Sequence, residues 1–141
     1  MQYVYQKRDS KYLVRINRGG SIIASLLDLA KKEKIVSGFF IGIGATDKTT
    51  LAHYSVENQK YSEKEYDFAF ELTNLTGSIA TLKGDLSVHA HATLADDQFK
   101  TYAGHLVEAR VSGTCEVLVI PLGKEIKKKF DKQTGLNILD L

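Results

Sequence analysis

The sequence predicts an α+β domain that consists of a central antiparallel or mixed β-sheet and one main helix. Most segments alternate apolar and polar residues with period two, only one segment has helical spacing, and strands and helices do not alternate along the chain. The length of 141 residues fits one domain, and 43% hydrophobic residues supply a single core.

The predicted strands are stretches in which apolar side chains recur at every second residue. In the first of them, Tyr12, Val14 and Ile16 share one face. Pro121 ends the last strand because proline cannot donate a ladder hydrogen bond. The predicted strands are Lys11–Asn17, Val36–Ala45, Thr50–Val56, Tyr66–Leu72, Asp85–Leu94, Phe99–Val107 and Gly113–Ile120.

One segment has the spacing of an amphipathic helix, opened by Ser21 as a candidate N-cap. Its apolar stripe consists of Ile22, Ile23, Leu26, Leu27 and Ala30, and Lys31, Lys32 and Lys34 lie at the C-terminal end, where cations favour the helix dipole. We also expect a short second helix near Ala95–Lys100, and a helical or frayed tail over Gly123–Lys132.

The charge, the cysteine content and the apolar runs of the chain bear on its partners and its cellular compartment. The formal net charge of +2 is too small to indicate nucleic-acid binding by itself. Cys115 is the only cysteine, so no intramolecular disulfide forms, and its apolar run predicts a buried strand thiol. The first twelve residues have no apolar core of a signal peptide, and no run is long enough to span a bilayer, so we expect a cytoplasmic protein without membrane partners.

The most informative residues are His89, His91 and His105. Residues two apart on a strand project from the same face, about 6–7 Å from one another, so His89 and His91 can share one ligand. A hairpin turn centred on Asp97 would place His89 opposite His105, with Cβ atoms about 5 Å apart. A register slip of one residue would instead send His105 to the other face of the sheet.

Three converging imidazoles with an open coordination position suit a divalent metal, and zinc in particular. The spacing equally allows the histidines to be surface or interface residues. His53 lacks such a setting and is expected to be structural or exposed. The sequence contains no recognisable Ser/His/Asp or Cys/His arrangement, so it names no catalytic residue and leaves open whether the protein is an enzyme.

Two further groups of residues are considered for ligand binding or catalysis: a glycine-rich segment and three charged residues. Gly42–Thr49 resembles a phosphate-binding loop, but the glycine before Lys48 is missing and a strand follows, so close backbone approach is the preferred interpretation. Glu71 and Glu116 interrupt apolar strands, and Arg15 is a candidate partner for either. A structural ion pair or a supporting role beside the metal is expected rather than catalysis.

Several motifs occur in a fixed order and resemble one known family. The segment Phe70–Ile79 is similar to E-L-x-x-L-x-G-x-I, and Val88–Leu94 contains H-x-H. Gly104-His105-Leu106 and Thr114-Cys115-Glu116-Val117 then follow. The chain from about Tyr12 to Pro121 thus resembles the plants-and-prokaryotes-conserved (PPC) family, with Ala103 replacing the first glycine of G-G-H-L.

The resemblance implies a PPC-like domain at residues 1–123, a C-terminal tail at 124–141, assembly as a homotrimer, and a metal site at the matching histidines. Plant members carry AT-hooks and are commonly regarded as DNA-binding, which implies a DNA-associated or regulatory role. This sequence contains no Arg-Gly-Arg-Pro AT-hook. The alternative is therefore a metal-dependent enzyme or small-molecule binder that does not contact DNA directly.

Overall fold

The computed structural model describes residues 2–141, which form one helix and nine strands. The helix is α1, Ile22–Lys32. The strands are β1 Tyr3–Arg8, β2 Lys11–Asn17, β3 Gly38–Ser55, β4 Lys60–Tyr66, β5 Phe70–Leu82, β6 Asp85–Ala95, β7 Thr101–Pro121, β8 Lys128–Asp131 and β9 Leu136–Leu139.

Seven strands form one antiparallel sheet in the order β1-β2-β7-β6-β5-β3-β4, and β8 pairs with β9 in a separate hairpin. An additional pairing of β7 with β3 closes β7, β6, β5 and β3 into a ring. The predicted α+β class with a central sheet and one helix is confirmed. A single isolated bridge between Thr81 and Lys127 is parallel among the described residues.

The core lies on the inner face of the closed strands, where α1 packs across them. Apolar side chains at alternate positions of β2, β6 and β7 point inward, as the period of two requires. The predicted helix stripe supplies Ile22, Leu26 and Ala30, all at most 1% exposed, and Leu29 joins them. Cys115 is fully buried on β7, as predicted, and burial raises the pKa of its thiol to about 12.

The start of α1 is capped by a residue distant in sequence. Ser21 occupies the N-cap position but makes no side-chain capping hydrogen bond. The carboxylate of Glu108, on β7, instead accepts hydrogen bonds from the backbone N–H groups of Ile23 and Ala24, at 2.9 and 3.2 Å. An anionic acceptor at a helix N-terminus both satisfies free N–H groups and complements the dipole.

Several predicted element boundaries are wrong. The pairs of short strands predicted at 36–56 and at 99–120 are each one long strand, β3 and β7, whose mutual pairing shifts register at several points while each strand continues. Tyr66–Leu72 contains a break between β4 and β5. The region Ala95–Lys100 is a strand end and hairpin turn rather than a helix, and Gly123–Lys132 contains β8 rather than helix.

The glycines of β3 serve close backbone approach, as predicted. A Cβ atom at Gly42 would lie 2.7 Å from the carbonyl oxygen of Glu116, and one at Gly44 would overlap the carbonyl oxygen of Thr114. Strand β3 therefore crosses β7 where only glycine fits, and no phosphate loop forms there. No helix within residues 2–141 is long and apolar enough to cross a membrane.

Candidate metal centre

The histidines lie on the outer face of the sheet, opposite the core. In β6, Ala90 and Ala92 point inward and are buried, so His89 and His91 point outward. Antiparallel pairing places His105 of β7 directly beside His91. Directly paired residues share a face, so the pairing brings all three imidazoles to the same surface.

The register between β6 and β7 differs from the one expected. The expected partner of His105 was His89, and this was wrong, because the turn is centred one residue further along the chain. The carboxylate of Asp96 accepts hydrogen bonds from the backbone N–H groups of Gln98 and Lys100, at 3.0 and 2.9 Å, which fixes the later turn. The shift in pairing is two residues, so His105 stays on the face that carries His89.

The three imidazoles are close enough to share one ion. The ring centroids lie 5.1 Å apart for His89 and His91, 5.2 Å for His89 and His105, and 5.7 Å for His91 and His105. One ring nitrogen from each residue lies within 4.8 Å of the others. Tetrahedral zinc at Zn–N distances of about 2.1 Å spaces its ligand nitrogens about 3.4 Å apart, so the three imidazoles would move towards one another on binding it.

Two features of the site fit metal ligation. Nδ1 of His105 is buried and has no hydrogen-bond partner within residues 2–141, so a ring nitrogen stays available for another ligand. Burial, followed by nearby Lys128 and the other histidines, lowers the pKa of His89 to about 4. Burial, His91 and Lys128 lower the pKa of His105, while Glu63 weakly opposes them. Neutral imidazole is the form that binds metal.

The cluster opens into a cavity of about 870 Å³. Its floor comes from β3, β5, β6 and β7, and one wall comes from the β8–β9 hairpin. Tyr61 packs against His105, with ring centroids 5.3 Å apart, and the hydroxyl of Tyr54 donates a hydrogen bond to the carbonyl oxygen of Thr134 at 2.7 Å. The lining also contains Phe39, His53, Ser78, Leu82, Ser87, Val88, Lys128, Leu136, Asn137, Ile138 and Leu139.

The other predicted site residues lie away from this cavity. Arg15 and Glu116 are cross-strand neighbours on β2 and β7, but both are exposed, and no ion pair between them is formed in the described chain. Glu71 is also exposed and pairs with Ala45 and Ala95. The apolar strands that surround these residues present an exposed outer face, so the expected buried carboxylates are not buried.

Sequence reasoning missed Lys128, the cationic side chain of the cavity. It belongs to the basic run Lys127-Lys128-Lys129 in the tail, where nothing local separates a cavity residue from exposed neighbours. The docking of the hairpin makes the difference, because Lys128 is half-buried and contacts Ser87 of β6 while Lys127 and Lys129 are exposed. His53, expected to be structural or exposed, is an exposed residue at the edge of the same cavity.

The fold and the site together define a class: an antiparallel α+β domain with three histidines clustered on the outer face of its sheet. The Plants and Prokaryotes Conserved (PCC) domain model, the family also abbreviated PPC, matches residues 3–123. The chain belongs to this family. A search of curated proteins returned no significant match.

Solved structures agree over nearly the whole chain. A "putative DNA-binding protein" of Bacteroides thetaiotaomicron is 32% identical, with a TM-score of 0.96 over 99% of this chain and 98% of that one. A second protein with this description, from Ralstonia eutropha, is 33% identical, with a TM-score of 0.91 over 97% of this chain and 95% of that one. A "metal-containing protein" of Archaeoglobus fulgidus is 28% identical, with a TM-score of 0.88 over 98% and 99%.

The lowered histidine pKa values make the stability of the metal-free protein pH-dependent. Unfolded histidines bind protons below about pH 6.5, whereas folded His89 resists protonation down to about pH 4. The unfolded state therefore binds more protons between these values, and stability falls as pH drops through this window. We expect the free energy of unfolding of His89→Gln to fall less than that of the wild type between pH 7 and pH 5. Urea unfolding midpoints, measured with a chelator that keeps the protein metal-free, test this. Equal losses would contradict the low pKa of His89.

Proposed function

We propose that this protein binds one divalent metal ion, zinc, through His89, His91 and His105. The observation that carries the proposal is the cluster itself, with one ring nitrogen of each residue within 4.8 Å of the others at the edge of an open cavity. Three neutral nitrogen ligands without a thiolate or carboxylate suit zinc and leave a coordination position for water or another ligand. The description of the Archaeoglobus fulgidus relative as metal-containing supports it.

The residues around the cluster are suited to binding a small molecule. When bound, such a metal lowers the pKa of its water towards about 7 and polarises a coordinated oxygen. The described chain supplies no acidic side chain to the cavity lining, so a carboxylate general base is absent from it. Ser78, Ser87 and Asn137 can hydrogen-bond and orient a ligand. This favours a binding site over a hydrolytic one.

A second candidate function is DNA association, which the two relatives described as putative DNA-binding proteins support at 32% and 33% identity. In this chain the physical support is a modest positive charge, +2. Contacts would be with phosphates rather than base edges, because no AT-hook is present in the sequence to enter the minor groove.

We further propose a homotrimer in the cytoplasm. Pairing aligns His91, Thr76, Ile41, Leu118 and Leu13 in one row across five strands of the outer face. The large side chains of this face are about half exposed: Leu13 55%, Phe39 47%, Ile41 51% and Ile43 59%. An apolar patch of this kind is typical of an interface. Three-fold assembly is what the family resemblance implies, and it would bring a neighbouring subunit to the edge of the metal site.

His91→Ala should weaken zinc binding by at least about 100-fold, since it removes one of three ligands. The side chain is exposed, so the fold should persist. Competition against a chromophoric chelator measures the affinity, using protein purified without chelator or nickel. His53→Ala is the matched control, because it changes a histidine of the same cavity outside the cluster. Equal zinc affinity in His91→Ala and wild type would overturn the metal site.

Ile41→Asp should disrupt the trimer, because it places a charge in the middle of the apolar outer face. Sedimentation equilibrium should give three times the chain mass of 15.7 kDa for the wild type and the single mass for the variant. Phe99→Asp is the control, because Phe99 is 86% exposed on the β6–β7 turn, away from that row. A wild type that sediments as a monomer would exclude the assembly.

If the protein binds DNA through phosphates, affinity for a random duplex should fall steeply as salt rises, with little dependence on sequence. Fluorescence anisotropy with a labelled duplex at increasing salt measures this. An equally long duplex of a different sequence serves as the control. No binding at low salt would remove the DNA role and leave the metal-dependent small-molecule function.

A further inference from the structure

Lys128 gives the cavity a charge that no residue around it balances. It lies on β8, is half-buried, and donates a hydrogen bond from Nζ to Oγ of Ser87 at 3.3 Å. Ser87 lies two residues before His89 on β6, so the ammonium group sits on the face that carries the histidines. Lys128 and the three histidines line the same cavity, so the cation lies on the side of the sheet that carries the cluster.

No acidic residue lines this cavity within residues 2–141. Lys128 takes part in none of the ion pairs of the described chain, although Lys127 and Lys129 each pair with a carboxylate. Glu63 is the carboxylate that influences His105, but it is exposed and lies outside the lining. The half-buried ammonium group of Lys128 therefore has no carboxylate partner among the described residues.

We propose that the cavity binds an organic anion whose head group takes the open metal position and lies against the ammonium group of Lys128. This rests on the metal site proposed above. A divalent metal beside an unpaired lysine concentrates positive charge where the protein supplies no compensating carboxylate. An anionic head group supplies the compensating negative charge, and an electroneutral or cationic ligand does not.

The remaining walls indicate what the rest of the ligand is like. Leu82, Leu136 and Ile138 line the same cavity as the polar groups. A volume of about 870 Å³ lies in the usual range for small-molecule sites. The ligand class is therefore an organic acid with an apolar body rather than an inorganic ion. A lysine ammonium group is a compact positive charge that binds either a carboxylate or a phosphate, so either head group fits the site.

The position of Lys128 is fixed by the docking of the β8–β9 hairpin. The backbone N–H of Thr81 donates to the carbonyl oxygen of Ile126 at 2.9 Å, two residues before Lys128. At the far end of the hairpin, Thr134 accepts the hydrogen bond from Tyr54. The hairpin lies beyond the residues 3–123 that match the family model, so the anion site depends on a segment outside that match.

The test uses full-length protein loaded with Co²⁺, whose visible spectrum reports both metal binding and a change of ligand at the open position. Benzoate and phenyl phosphate are the anionic probes, and benzamide is the neutral control of similar shape. We expect an anion to change the spectrum at concentrations where benzamide does not. Lys128→Gln should weaken that binding about 10-fold to 100-fold, as for the loss of a charged hydrogen bond.

Lys129→Gln is the matched control, because Lys129 is the next residue on β8, is exposed, and pairs with Asp140 instead. It should bind the anion like wild type, and Lys128→Arg should retain most of the affinity. The ratio of benzoate to phenyl phosphate affinity identifies the preferred head group. If the Co²⁺-loaded protein binds neither anion, or binds benzamide equally well, the anion site alone is overturned. Failure to load Co²⁺ would overturn the metal site and this proposal with it.

Discussion

The antiparallel pairing of β6 with β7 is the constraint on which both core and site depend. One register buries Ala90, Ala92 and Leu94 and at the same time brings His89, His91 and His105 together on the outside. A slip by one residue would exchange the two faces, exposing apolar side chains and burying imidazoles. The free energy gained by burying the apolar face therefore holds the histidine cluster in place, without any contact among the histidines being needed for stability.

The closure of the sheet explains why the site lies beside an apolar surface. Because β3 pairs with both β5 and β7, their outer faces form one continuous surface, and Ile41 and Phe39 lie in the same cross-strand rows as His91 and His89. Phe39 also lines the cavity of the site. A partner that covers the apolar surface would therefore border the cavity.

The C-terminal hairpin gives this site its charge. The sheet alone supplies three neutral imidazoles and several hydroxyl groups, a surface without a formal charge of its own. Docking of β8 adds one ammonium group and, through Leu136 and Ile138, an apolar wall. Burial lowers the pKa of Lys128, which is the cost of holding a cation away from water without a counter-charge. The sheet thus supplies the histidine cluster, and the segment that covers it supplies the charge and the apolar wall beside it.

The sequence by itself determined the elements whose pattern is local. Period-two alternation located β2 at residues 11–17, helical spacing located α1, and the H-x-H spacing put His89 and His91 on one face. It did not reveal β1 and β4, whose mostly exposed residues carry little hydrophobic alternation, nor the continuity of β3 and β7 across the register shifts in their pairing. Only the tertiary structure decided that Glu108 caps α1, that His91 rather than His89 pairs with His105, and that Lys128 enters the cavity. Each of these depends on residues brought together by strand pairing and hairpin docking, and such contacts leave no periodic trace in a short window of sequence.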